Sequence, residues 1–297
     1  MDLAQFNFFL LIMTIIALVV FVSLFFVEAG YGKLISKKWG PSINNKVAWV
    51  MMECPVFFVI AYLWWMSDRT FEIVPLIMFL LFELHYFQRS FIFPFLLKGD
   101  SKMPIAIMLM GVFFNIANGY IQGRWIFYLA PENMYTTSWL TSWQFILGTS
   151  IFIIGLIINW NSDHVIRNLR APGDTNHYLP QKGMYKYVTS ANYFGEILEW
   201  SGFAILTWSN AGAVFLWWTC ANLVPRANSI YKKSEIKFME HNNIQIVFLY
   251  DTTQEKEFMK NILITIPIIL ILIVVTMFKF IENMSKKIKK PIYDLVK

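Results

Sequence analysis

Apolar residues run along this chain in stretches of about 20, the length that crosses roughly 30 Å of hydrocarbon at about 1.5 Å per helical residue. They predict spans at about 5–27, 46–66, 71–97, 104–128, 143–160, 190–208 and 211–225, with an eighth apolar run at about 261–281. Helix is the expected conformation of each, because backbone groups in lipid must be satisfied within their own segment. Short polar connections separate most of the spans. The chain opens directly into its first apolar run with no basic segment ahead of it, so that run reads as a retained helix rather than a cleaved signal.

The connections carry charge unevenly. Those after the first, third and fifth spans hold Lys33, Lys37 and Lys38, then Lys98 and Lys102, then Arg167, Arg170, Lys182 and Lys186. Those after the second, fourth and sixth hold only Arg69, apart from Arg124 near the end of the fourth span. The basic side is expected to be cytoplasmic, with the N-terminus outside and Arg226 at the cytoplasmic end of the seventh span. The eighth run breaks the pattern, since crossing there carries Lys286, Lys287, Lys289, Lys290 and Lys297 outward.

Composition agrees with a membrane protein. Of 297 residues, 57% are hydrophobic and only 15% charged, against roughly a quarter charged in soluble domains. The mean hydropathy is +0.50. One globular core cannot bury such a surplus, so much of it must face lipid. The net charge of +6 is explained by lysines flanking membrane helices, and no basic face with interleaved aromatics points to nucleic acid. Cys54 and Cys220 sit in apolar surroundings without CxxC spacing, so neither a disulfide framework nor a zinc site is expected.

Against this background, polar residues at membrane depth need a reason, because a charge at the bilayer centre costs a few kcal/mol even on lenient scales. Glu53 lies within "WVMMECPVFF". Glu83, His85, Tyr86 and Arg89 crowd the third span, and Asn115 and Asn118 interrupt the fourth. Asn159, Asp163, Arg167 and Arg170 step by four, four and three, which places them on one helix face; Asn192, Glu196 and Glu199 do the same by four and three. Two such faces near the cytoplasmic ends of consecutive helices can line one pocket for a polar, charged ligand. Interhelical hydrogen bonding is the structural explanation for a single such residue, but a dozen toward one membrane side point to an enzyme site. The loop between these helices turns at Pro172-Gly173 and Gly183 and is rich in donors: Arg170, Asn176, His177, Tyr178 and Lys182. It suits phosphates. No GxGxxG after a strand, P-loop, HExxH or GxSxG appears, and His85, His164, His177 and His241 lack metal-ligand spacing, so no metal is expected.

The stretch "NSDHVIRNLRAPGD…HYLPQKGMYKYVTSANYFGEILEWSGFAILTWS", over about 159–209, strongly resembles the C-terminal half of the steroid 5α-reductase family. "GYGK" at 30–33, "AWVMMECPVFF" at 48–58, "LHYFQRSFIF" at 84–93 and "NIANGYIQG" at 115–123 match that family's segments in order. The resemblance covers about 28–227. It implies an all-α polytopic membrane protein with the family's seven-transmembrane-helix fold, using NADPH to reduce the Δ4 double bond of 3-oxo-Δ4 steroids by hydride transfer to C5. By the same resemblance, Glu53 and Tyr86 match the pair that holds the 3-oxo oxygen. Asn159, Asp163, Arg170, Asn192, Glu196 and Arg226 match NADPH-binding positions, with Lys33 and Arg89 as additions. Trp49 and Phe114 match positions lining the steroid cleft. A multi-pass membrane location follows, with the cofactor site facing the cytoplasm, in the inner membrane of a bacterium or the endoplasmic reticulum of a eukaryote. The implied partners are a steroid or other lipid substrate and membrane lipids; no protein partner is indicated.

The chemistry is coherent with these residues. Hydride addition to the β-carbon of an enone builds negative charge on the carbonyl oxygen, and buried donors aimed there stabilise it. Tyr86 can donate its hydroxyl proton, and a protonated Glu53 can donate too. Arginines suit the phosphates of NADPH. The hydride source must be a cofactor, since no side chain supplies one.

Departures from the family begin at about residue 228. "RANSIYKKSEIKF" stands where the family has a His, a Tyr and a Tyr-Pro-x-x-Arg stretch, with Ile230 at the His position, and Tyr178 stands where some relatives carry Arg. Composition shifts there toward Ile, Lys and Asn, and 244–297 resembles the end of a sensor-kinase input domain entering a HAMP linker. The expected organisation is therefore a reductase domain at 1–228 and an atypical tail at 229–297, such as a fusion or frameshift leaves; a genuine extra helix is the other reading. Three other functions stay open: reduction of another conjugated carbonyl such as an enoyl thioester or polyprenal, methyl transfer, which leaves Glu53 and Tyr86 without a role, and a non-catalytic sensor, which only the tail suggests.

Overall fold

The computed structural model describes residues 1–27, 39–99, 101–169 and 178–241, with side chains described as far as Tyr231. Lys33, Arg170 and the apolar run at 261–281 lie outside the described residues. The helices are α1 (Leu3–Phe26), α2 (Asn45–Trp65), α3 (Ile73–Phe87), the short α4 (Phe93–Leu96), α5 (Ile105–Arg124), α6 (Trp143–Arg167), α7 (Ala191–Thr207) and α8 (Asn210–His241). Two three-residue strands, β1 (Ser42–Asn44) and β2 (Lys102–Pro104), pair antiparallel beside the starts of α2 and α5. The chain divides into two compact units, Met1–Glu235 and Ile236–Lys297.

The molecule is an all-α polytopic membrane protein. Among the described residues, five helical stretches are long and apolar enough to cross a membrane: Leu3–Phe26, Asn45–Trp65, Ile73–Leu96, Ile105–Leu129 and Trp143–Arg167. The sixth and seventh apolar runs form α7 and α8. Two π-helical turns were not evident in the apolar pattern. One, Gln88–Ile92, joins α3 to α4; the other, Trp125–Leu129, ends the helix begun by α5. Such turns insert a residue into the helical ladder and re-aim the side chains on it, and Arg89 sits on the first. The fifth span also runs on as helix beyond the expected residue 160, to Arg167.

Helix starts follow local chemistry. Asp2 and Gln5 form a reciprocal capping box at α1, with Gln5 N donating to Asp2 Oδ1 at 2.8 Å. Ser142 Oγ accepts from the Phe145 N–H at the start of α6. The outward faces are apolar: Phe8, Ile15 and Val19 on α1 and Ile154 and Ile157 on α6 are all exposed, as expected of surface that meets lipid tails.

Lipid is as apolar as leucine, so close helix packing has to come from shape. In α6 and α7 it comes from glycine. A Cβ on Gly195 would stand 2.5 Å from the Asn159 nitrogen, and one on Gly148, Gly155 or Gly202 would overlap backbone of the facing helix. The two backbones therefore touch along Gly148–Gly202 and Gly155–Gly195, which fixes the register between Asn159 and Asp163 on α6 and Asn192 and Glu196 on α7. Gly155→Leu is expected to abolish recovery of monodisperse protein in detergent, whereas Ile157→Leu on the lipid face leaves size-exclusion profile and yield unchanged.

Candidate active site

Three helices converge on a polar centre inside this apolar frame. α2 supplies Glu53, α3 supplies Tyr86, and α5 ties both down. Pro55, inside α2, has no N–H for the preceding turn and disturbs its ladder. On that turn the Met52 carbonyl accepts from Asn115 Nδ2 at 2.7 Å, and the same amide donates to Glu53 Oε2 at 3.1 Å. One turn further along α5, Asn118 Nδ2 donates to the Tyr86 hydroxyl at 3.1 Å. Positions three apart share a helix face, so the two amides bring the carboxyl and the phenol to one side of α5. Tyr86 is buried, and its ring packs against those of Phe82, His85 and Trp200, with centroids 4.8, 5.0 and 5.7 Å away. Glu53 is half-buried.

Beside this pair, Arg89 stands between α6 and α7. Its guanidinium lies 3.3 Å from Asp163 and 3.4 Å from Glu196, and it sits over the rings of Trp49 and Phe93 at 5.1 and 4.6 Å. Asn192 Nδ2 donates to Asp163 Oδ1 at 3.4 Å, Asn159 Nδ2 donates to the Asn192 carbonyl at 3.0 Å, and the Tyr185 hydroxyl donates to Asn192 Oδ1 at 3.2 Å. Arg226 Nε donates to the Tyr193 hydroxyl at 2.8 Å. Glu53 interacts electrostatically with Arg89 and Glu196, which couples the two groups of residues. Phe114 lies elsewhere on α5, against Trp218 and Phe215 of α8 at 4.8 and 6.2 Å.

The structure thus brings together Glu53, Tyr86, Arg89, Asn159, Asp163, Asn192 and Glu196, with Trp49 under the Arg89 guanidinium. The face of Asn192, Glu196 and Glu199 divides. Asn192 and Glu196 join Arg89 and Asp163, while Glu199 is fully buried and is hydrogen-bonded to His85 Nδ1 at 2.8 Å. The sequence pattern put Glu199 on the pocket-lining face with Asn192 and Glu196 and assigned no role to His85, Asn115 or Asn118, although their expense at membrane depth marked them. It did not single out Gln122 or Tyr185, which look like ordinary polar residues near helix ends.

Two buried acceptors on α6, Asn159 Oδ1 and Ser162 Oγ, have no hydrogen-bond partner among the described residues. Buried polar atoms are nearly always paired, so these suit a ligand that brings N–H or O–H groups to α6. The acids beside Arg89 are held at the long end of hydrogen-bonding distance, which leaves the guanidinium able to take another anion.

Fold and site together define a polytopic membrane protein with a buried polar centre built for chemistry. Comparison with known proteins gives the chain a family. The profile of the 3-oxo-5-alpha-steroid 4-dehydrogenase family matches residues 101–250. The chain is 35% identical to steroid 5-alpha-reductase DET2 of Gossypium hirsutum over 232 residues, 77% of this chain and 89% of that protein. It is 36% identical to 3-oxo-5-alpha-steroid 4-dehydrogenase 1 of Macaca fascicularis over 74% of this chain and 84% of the relative. For the Homo sapiens protein of the same name the identity is 37%, over 70% and 81%. The chain belongs to the 3-oxo-5-alpha-steroid 4-dehydrogenase family. It is an oxidoreductase acting on CH–CH bonds.

The buried His85–Glu199 pair generates a test of its own. Removing one partner of a buried hydrogen bond typically costs about 1–3 kcal/mol, because the other is left unsatisfied. Glu199→Ala is expected to lower the melting temperature in detergent clearly, and Glu199→Gln, which keeps an acceptor for the imidazole, to lower it less. Equal melting of Glu199→Ala and the parent protein would show that the pair contributes nothing to stability.

Proposed function

We propose that this protein reduces the Δ4 double bond of 3-oxo-Δ4 steroids with NADPH, giving 5α-reduced 3-oxo steroids. The observation that carries the reading is the presentation of Glu53 and Tyr86 from separate helices to one side of α5. Two hydrogen-bond donors converging in a low-dielectric site suit a carbonyl oxygen on which negative charge develops. Family membership, and the names of the relatives, point to a steroid enone as the owner of that oxygen.

The cofactor assignment rests on the cluster at α6 and α7. Arg89 and Arg226, with Lys33 and Arg170 from outside the described residues, are the cations assigned to phosphates. Asn159, Asp163, Asn192 and Glu196 are assigned to the hydroxyl and amide groups of a dinucleotide, and the unpartnered Asn159 Oδ1 and Ser162 Oγ fit that use. NADPH, when bound, supplies the hydride that reaches C5. Tyr86 and Glu53 hold the 3-oxo oxygen and donate to it as charge accumulates. Trp49 and Phe114 are assigned to the walls of the steroid cleft, and the surrounding helices keep water from the reacting atoms. The cofactor end is assigned to the cytoplasm, a reading that the basic connections support. Residues 1–228 are assigned to this reductase, and 229–297 to an atypical tail.

NADPH oxidation by purified full-length protein, with and without progesterone, is the direct test. Steroid-dependent oxidation is expected; oxidation driven by an enoyl thioester but by no steroid would move the substrate to another conjugated carbonyl. Tyr86→Phe and Glu53→Gln are each expected to lower kcat by about 100-fold or more, the usual scale for losing one donor to a developing oxyanion. The KM for NADPH should change far less. Equal losses in both constants would mean that these residues hold the cofactor or the fold.

A further inference from the structure

The hydrogen bond into Tyr86 has a direction, and the direction decides whether the phenol can act as a donor. A phenolic oxygen can accept and donate at once, with its single hydrogen turning to suit its neighbours. If the neighbouring amide presented its oxygen, Tyr86 would spend that hydrogen on the protein. Which end of an asparagine faces the phenol must be settled by what lies behind it.

Behind Asn118 stands Gln122, one turn along α5 and 1% exposed. Gln122 Nε2 lies 2.9 Å from the Ala211 carbonyl at the start of α8 and 3.3 Å from Asn118 Oδ1. A backbone carbonyl has lone pairs and no hydrogen to give, so the Gln122 atom facing it must be the amide nitrogen. That nitrogen's second hydrogen points to Asn118, which must therefore turn its oxygen to Gln122. The Asn118 nitrogen is left facing Tyr86, at 3.1 Å, and the phenol oxygen can only accept. Each step follows from the one before, starting from a main-chain atom that cannot change roles.

The same construction recurs at Glu53. Asn115 Nδ2 is anchored on the Met52 carbonyl at 2.7 Å and gives its other hydrogen to Glu53 Oε2 at 3.1 Å. Both acids of the pair thus receive a hydrogen bond from an amide whose orientation is fixed by the backbone.

We infer that Gln122 and Asn118 are positioning residues that fix the polarity of the Tyr86 hydroxyl, holding it as an acceptor toward α5 so that its own hydrogen is reserved for the substrate oxygen. Neither residue touches the substrate; the relay acts through Tyr86 and rests on the role proposed above for that residue. Ring contacts with Phe82, His85 and Trp200 hold the phenol plane, so the rotation of one O–H bond is the freedom the relay removes.

The test uses the full chain in detergent, with NADPH and progesterone, and compares single and double variants. Asn118→Asp keeps the shape but puts an acceptor beside the phenol, which turns the hydroxyl hydrogen away from the substrate. Asn118→Leu and Gln122→Met remove the relay without burying a charge and keep the test usable if the aspartate variant does not fold. Each folded variant is expected to lose kcat by roughly ten- to a hundredfold, the scale of losing an outer-shell support, with the KM for NADPH unchanged. In the Tyr86→Phe background, which has no hydroxyl to orient, the same substitutions should change kcat by less than about twofold, since coupled residues are non-additive. If Tyr86→Phe lowers kcat and the relay variants do not, the relay is wrong. Equal losses in both backgrounds overturn it as well, since they mark Asn118 and Gln122 as structural. If Tyr86→Phe itself leaves kcat unchanged, the role of Tyr86 fails, and the relay with it.

Discussion

The backbone contact between α6 and α7 is the constraint on which the polar centre depends. Water is absent at membrane depth, so no hydrophobic drive draws these helices together, and their approach is limited only by atoms between them. Glycine at 148 and 155 on one helix and at 195 and 202 on the other removes those atoms. The register that results sets Asn159 against the Asn192 carbonyl and aligns Asp163 and Glu196 on either side of Arg89. A larger side chain at any of these glycines would separate the two acids and leave a buried arginine poorly paired, so packing and electrostatics are here one condition.

A second condition is that polar groups in the bundle be satisfied without water, and main-chain carbonyls do much of that work. Met52, Ala211 and Asn192 each lend a carbonyl to a buried amide, and each fixes which end of that amide is the donor. A carbonyl cannot titrate, rotate independently or reverse its role. Using it as the anchor gives side chains at the reacting centre a defined polarity at little cost in mobility. Among the described residues several buried polar atoms lack a hydrogen-bond partner, and two of them, Asn159 Oδ1 and Ser162 Oγ, lie on the α6 segment to which a ligand is assigned.

The elements divide by how much of them periodicity could reveal. The runs at 5–27 and 46–66 became α1 and α2 within a few residues, because lipid demands both length and apolarity and the sequence must state both. The run at 71–97 became α3, a π-helical turn and α4, and an apolar pattern does not record a change of helical pitch. Arg89 owes its aim to that turn. Asn159, Asp163, Asn192 and Glu196 were legible as faces, from steps of three and four. That their faces meet, and that Glu199 leaves its own face to pair with His85, depends on the rotation of α3 and α7 about their axes.

The sequence by itself determined the class of the protein, its embedding in a membrane, its family and the residues expected to carry chemistry. These are written in local features: length, hydropathy, the cost of a polar group in lipid, and motifs along the chain. The tertiary structure alone decided the partners. Gln122 lies 89 positions from the Ala211 carbonyl, and Asn115 lies 62 from Glu53. Such pairings arise when helices far apart in the chain pack at one angle and one register, a property of several segments at once that no window of sequence contains.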